Sequence, residues 1–136
     1  MSLLLLRECL DKQKEGSPCH IFEMSFFVKR IGTDESIKEI RTIKEFLYPV
    51  FTKESDFDQK LINAHWLANY GVTSWEGIID DESGEEMEFT ERNRLQLFLN
   101  KAYFLSLNNI LITHAVNYEN YLNDKAMEDI EAIKKQ

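Results

Sequence analysis

Apolar and polar positions along this chain follow two periods, and the switches between them mark the elements. Over residues 2–14, Leu3, Leu6 and Leu10 recur at helical spacing. Ser2 is placed as a cap and Gly16-Ser17-Pro18 as a stop, although the unbroken Leu3–Leu6 run leaves a strand as the competing reading. The stretch CHIFEMSFFVKRI is rich in aromatic and β-branched residues and predicts a strand over about 19–31. In GTDESIKEIRTIKEFLYP, Thr33 or Asp34 caps a helix, acids fill its first turn and Pro49 ends it. Ile37, Ile40, Ile43 and Leu47 make its apolar face. A second helix opens at Ser55 or Asp56 and closes at Gly71. Phe57, Leu61, Ala64 and Ala68 share one face of it and Ile62, Trp66 and Tyr70 the adjacent one, which predicts burial on two sides.

The pattern then shortens. WEGII and EMEF read as two short strands joined by the polar turn DDESGE, with Gly84 supplying a positive φ, so a hairpin is expected over 75–89. Thr90 caps the helix that follows, Glu91 to about Asn100, and Phe89 is placed for a hydrophobic staple with Arg94 or Leu95. Leu95, Phe98, Leu99 and Ala102 are expected inward. A further helical run over about 102–122 shows Tyr103, Leu107, Ile110, Leu111, His114, Tyr118 and Leu122, with Asn108-Asn109 as its weak spot. Residues 124–136 place Met127, Ile130 and Ile133 on one side, as in a short terminal helix prone to fraying.

These elements predict a mainly α protein of the α+β class: a small helical domain with an N-terminal β element and an acidic β-hairpin leading into C-terminal helices. At 136 residues the chain is long enough for one sizeable core. A β/helix part over 1–50 and a helical part over 54–123 are expected within that single domain.

Charge sharpens the picture of the hairpin. The chain carries 24 acids and 16 bases for a net charge of −8. Eight of the acids lie between Glu76 and Glu91 with no Lys or Arg among them, so the remainder is balanced. No basic cluster offers a face to phosphates, which argues against nucleic-acid binding. Leu3–Leu6 is too short for a secretory h-region, and no segment approaches the length of a membrane span. An intracellular protein with Cys9 and Cys19 as free thiols is expected.

The chemistry-bearing residues form no recognisable catalytic or metal motif. His20, His65 and His114 are far apart, and none has a second His or Cys one turn away. There is no phosphate-cradling glycine loop and no nucleophile elbow. Cys19 and His20 are neighbours in a strand, which points them to opposite faces. Asp80, Glu82 and Glu91 fall at positions 1, 3 and 12 of a calcium loop, but Gly84 takes position 5 instead of 6, out of register. No enzyme, cofactor or metal is expected.

Trp75-Glu76-Gly77-Ile78, then Asp80-Asp81-Glu82-Ser83-Gly84, then Phe89-Thr90 opening a helix form a pattern that resembles the small tail assembly chaperones of long-tailed (siphovirus-like) bacteriophages. The helical stretch from Asn93 to Leu122 resembles their C-terminal helices, and the likeness covers about 54–123. The resemblance implies a non-enzymatic protein of the infected host's cytoplasm that self-associates. It would coat the long helical tape measure protein and keep it in solution until tail tube subunits replace it. Trp66, Tyr70, Trp75, Phe98 and Tyr103 are then the candidate contacts with client or sister subunit, each with an ordinary place in the core as the alternative. Asp80, Asp81, Glu82, Glu85 and Glu86 would form an acidic surface that keeps the coated complex dissolved. Two other readings stand beside it: a structural head–tail or baseplate component of the virion, and an acidic decoy for a basic protein.

Overall fold

Cys19, Phe26 and Trp75 sit in register across a three-stranded antiparallel sheet, and all three are buried. The strands are β1 (Ser17–Ile21), β2 (Met24–Val28) and β3 (Val72–Glu76), in the order β1-β2-β3. The structure, a computed structural model, describes residues 9–47, 56–122 and 133–134. Expectations resting on Ser2, Leu3, Leu6, Pro49, Ser55, the Phe57 side chain, Met127 and Ile130 lie outside that range.

The single strand expected over 19–31 is instead a tight hairpin. Ile21 pairs with Met24, leaving Phe22 and Glu23 as a two-residue turn. Phe22 accomplishes this with φ 54, a region that disfavours bulky side chains by roughly 1–2 kcal/mol. The turn carries none of the Gly, Asn or Asp that usually announces one. Alternation along β1 buries Ser17 and Cys19 and exposes Pro18 and His20, so Cys19 and His20 do point to opposite faces. In β3, Val72 and Trp75 are three apart yet both inward. A bulge opposite Phe27 and Val28 absorbs the extra residue, and the Thr73 hydroxyl donates to the Glu15 carbonyl at the end of α1 (Leu10–Glu15).

Helices cover the sheet, giving a small α+β domain that is mainly helical. In α2 (Asp34–Leu47), Thr33 is the cap, its hydroxyl accepting from the Ser36 N–H at 3.1 Å. The buried face is Ser36, Glu39, Ile43 and Leu47, while Ile37 is exposed and Ile40 half-buried. The expected isoleucine stripe is thus rotated toward polar partners. α3 (Asp56–Trp66) buries Ile62, Ala64 and Trp66 and runs into a π-helical turn, Leu67–Gly71, before entering β3. Gly71 closes the helix, and a Cβ there would stand 2.4 Å from the Trp66 ring. The bare glycine is what lets the indole lie against the turn.

The long helix expected over 102–122 is broken twice. After α4 (Glu91–Phe98), the Asn100 side chain accepts from the Ala102 N–H at 3.0 Å and starts a 3₁₀ turn at 101–103. α5 spans Leu107–Val116, and Asn117 caps a second 3₁₀ turn, Tyr118–Tyr121, by accepting from the Glu119 N–H at 3.1 Å. Ala102 lies exposed, not inward. Asn108 is no weak spot: it is buried in α5 and donates to the Phe98 carbonyl at 2.8 Å, although its Oδ1 has no partner. Of the expected terminal helix, only 133–134 are described; they are helical, and Lys134 pairs with Glu119 at 3.2 Å.

A latch holds α5 to the sheet. The Ile31 N–H donates to the Ala115 carbonyl at 2.9 Å, and Arg30 donates to the Ala115 and Val116 carbonyls at 3.2 and 3.1 Å. A cation at this helix end also complements the helix dipole. The Tyr121 hydroxyl lies 2.8 and 2.9 Å from the Val28 and Lys29 carbonyls, with Arg30 over its ring.

Candidate functional site

Of the five aromatics singled out in the sequence, three are core. Trp66, Trp75 and Phe98 are buried, and their work in this conformation is packing, not direct contact with a partner. The structure brings two of them together: Trp75 and Phe98 stand 6.0 Å apart by ring centroids and share contacts with Phe26. Phe89 meets Trp75 edge-on at 4.9 Å. Trp66 lies in the same buried core but turns its indole to a polar partner. Tyr70 is half-buried in the π turn, and Tyr103, in the first 3₁₀ turn, is 38% exposed.

Trp66 sits on an ionic cluster that the hydrophobic pattern gave no reason to expect. Its indole N–H donates to Glu39 Oε1 at 3.2 Å, while Lys29 Nζ donates to Glu39 Oε2 at 2.7 Å and to Glu35 at 3.1 Å. Burial alone would push the Lys29 ammonium down, but its hydrogen bonds to Glu39 and Glu35, and their charges, hold it above the ordinary lysine value. Each buried polar atom here has a partner, which makes the cluster a pin between β2, α2 and α3.

The acidic hairpin is real but smaller than expected. Trp75 lies in β3 and pairs with Phe26; the hairpin proper narrows to 78–87, held by the Ile79–Glu86 bridge and the Met87 N–H to Ile78 carbonyl bond of 2.7 Å. Gly84 has the positive φ the turn requires, 71°. Asp81, Glu82, Glu85 and Glu86 are exposed and Asp80 half-buried. Some of these carboxylates serve the loop itself: Asp80 Oδ1 accepts from the Glu82 N–H, and Glu86 Oε1 from the Gly77 N–H at 2.8 Å. Among the described residues, no group of three or more His, Cys, Asp or Glu is placed to hold a metal.

Trp75, Met87, Phe89 and Thr90 form one interlocked unit. The Trp75 indole donates to the Met87 carbonyl at 2.9 Å, tying the hairpin's return to β3. Thr90 caps α4 by accepting from the Asn93 N–H at 3.1 Å. The staple is a cation–π pair, Arg94 over the Phe89 ring at 4.6 Å, and Arg94 Nε also donates to the Ala68 carbonyl at 2.9 Å.

No protein-family model, no curated protein and no solved structure matches this chain. Its functional surfaces are therefore argued from its own geometry.

One such surface escaped the periodicity reading. Between Lys101 and Glu119 the chain has no Asp, Glu, Lys or Arg, in a protein of which 29% is charged. The outer side of α5 and its flanks carry Tyr103, Leu105, Ile110, Val116 and Tyr118 exposed, with Leu105 at 74%. Asn109 and Thr113 are exposed between them. The signal that finds this face is the missing charge, because helical periodicity alone assigns Ile110 and Tyr118 to a core.

The titratable groups near it favour neutrality. Burial pushes His114 below its usual value; a hydrogen bond to the Ser17 backbone opposes this and the charge of His20 adds to it, while the Ser17 hydroxyl lies 3.0 Å from His114 Nε2. Burial likewise lowers His65 and raises the Cys19 thiol, which keeps that thiol protonated and unreactive.

Proposed function

We propose that this chain is a tail assembly chaperone of a long-tailed bacteriophage, a non-enzymatic protein that binds apolar helices of the tape measure protein and keeps them from aggregating before tail tube subunits replace it. The observation that carries the binding half of this reading is the charge-free outer face of α5. Exposed apolar side chains gathered in a neutral stretch are a mark of a protein–protein contact surface. An amphipathic client helix lays its apolar side on such a face, with Leu105 and Ile110 as anchors. The resemblance of the Trp75, Gly77, Gly84 and Phe89-Thr90 landmarks supplies the class of client. It gains support from their forming one structural unit.

Several copies would be needed along a long client, so self-association belongs to the proposal, as does action in the cytoplasm of the infected host. The exposed acids then repel neighbouring coated complexes and keep them dissolved. No helix among the described residues is long and apolar enough to cross a membrane.

Co-expression with the tape measure protein tests the reading. The wild-type chain is expected to raise the client's soluble fraction and to co-purify with it. The pair Ile110→Glu and Val116→Glu, folded as judged by an unchanged melting temperature, is expected to do neither. A client that stays insoluble beside the wild-type chain, with no complex formed, overturns the proposal. Mass spectrometry of purified particles separates a chaperone, absent from them, from a resident virion component.

A further inference from the structure

Phe22 is the residue whose placement neither packing nor turn chemistry explains. It is 100% exposed at the tip of the β1–β2 hairpin and holds φ 54, where Asn or Gly would sit without strain. A tip built for stability alone would carry one of those. The tip is also buttressed. Gly77, at φ 77, packs so closely on it that a Cβ would lie 2.4 Å from the Glu23 carbonyl oxygen. The Gly77 N–H in turn is held by Glu86 of the acidic hairpin. An exposed aromatic ring is therefore presented on a stiff support, which lowers the cost of using it as an anchor.

The surroundings of that ring select its partner by charge. No Lys or Arg occurs between Glu15 and Val28 or between Val72 and Glu91. Glu76 pairs with Ser25 beside the tip, Glu86 holds the Gly77 that packs on Glu23, and Glu23, Glu76 and Glu86 are all exposed. His20, hydrogen-bonded to Ser25 at 2.8 Å, is the one group on this hairpin able to carry positive charge. The acids alone define no site; with Phe22 they make an apolar knob in a negative field.

We propose that this end of the sheet is a docking surface for a basic, amphipathic protein segment, with Phe22 inserted among its apolar side chains and its Lys or Arg residues facing the acids. It is separate from the α5 face and holds whether or not that face receives a tape measure protein.

The probe is a synthetic amphipathic peptide of Lys and Leu at helical spacing, titrated against the full chain. Its two controls replace every Lys by Glu or every Leu by Ser. The Lys/Leu peptide is expected to bind, and both controls at least about tenfold more weakly. Phe22→Asn is expected to weaken binding about tenfold or more while leaving the melting temperature equal or higher, since Asn fits the turn better. The combination Glu23→Gln and Glu76→Gln is expected to weaken binding about threefold and to flatten its salt dependence. Ile110→Ser is expected to leave the difference between the wild type and Phe22→Asn unchanged, which separates this surface from any binding of the peptide's apolar side to α5. Wild-type affinity in Phe22→Asn, or equal binding of the Ser control, would overturn the inference: the first removes the anchor, the second reduces the contact to charge alone.

Discussion

The sheet end and the outer face of α5 are opposites in chemistry built on one core. The first gathers eight acids between Glu76 and Glu91 and spends some of them on its own backbone. The second runs from Lys101 to Glu119 without a charge and leaves Leu105, Ile110 and Val116 in contact with water. They are fastened differently as well. The hairpin is fastened at its base, by Ile78 buried in the core, by the Trp75 indole to the Met87 carbonyl and by Gly77. α5 is held along its length by buried Leu111 and Ala115, and at its end by Arg30, Ile31 and Tyr121. The lesson is that charge was segregated by region rather than dispersed. Two copies meeting hairpin to hairpin repel, whereas contact through α5 carries no electrostatic penalty.

Unequal fastening can be broken at one side. Trp75→Ala empties a site shared with Phe26, Phe89 and Phe98 and is expected to cost about 3–5 kcal/mol. Hydrogen exchange in that variant should accelerate first at 78–87 while 107–116 stays protected; equal acceleration in both would deny the separate fastening. Next in size is Gly77→Ala. A Cβ at φ 77 and 2.4 Å from the Glu23 oxygen is expected to cost about 1–3 kcal/mol by chemical denaturation. On the α5 side, Tyr121→Phe removes the hydroxyl shared by the Val28 and Lys29 carbonyls and should cost about 1–2 kcal/mol.

How far the sequence revealed this division depends on how local each determinant is. The Thr90 cap, the Gly84 turn and the Phe89–Arg94 staple were legible, because each is decided within a few residues. The β1–β2 turn was not, since Phe22-Glu23 carries no turn signature. Ser36 and Glu39 were hidden for another reason: they are buried against the Gly32 amide, Lys29 and Trp66, and a pattern that equates apolar with inward misses paired polar groups. Asn100 and Asn117 both carried the signal for a helix break, while Asn108, the same residue type, turns its amide N–H to the Phe98 carbonyl and leaves its Oδ1 without a partner. Trp66, Trp75 and Phe98 were drawn into the core by their size, while Leu105, Ile110 and Val116 are left exposed.

Acid should act first through His65 on α3 and His114 on α5. His65 and His114 have depressed values when folded, so the unfolded chain takes up protons more readily. Their contribution is complete above pH 6.5 and is lost as pH falls through 6.5 toward the folded values. The melting temperature should therefore drop as pH falls below about 6.5, and His114→Gln should flatten that drop. Lys29 works at the other limit: its value is raised, so its contribution persists to 10.5 and fades as pH climbs through the higher folded value. Smallest of all, neutralising Asp81, Glu82 and Glu85 should move stability by less than about 0.5 kcal/mol, because these side chains are exposed.

The division of labour between the two regions is tested most directly by amide hydrogen exchange on the chain with and without a bound tape measure protein. The account predicts new protection over residues 103–118, centred on Leu105 and Ile110. Protection that leaves 103–118 unchanged in a complex that does form would contradict it.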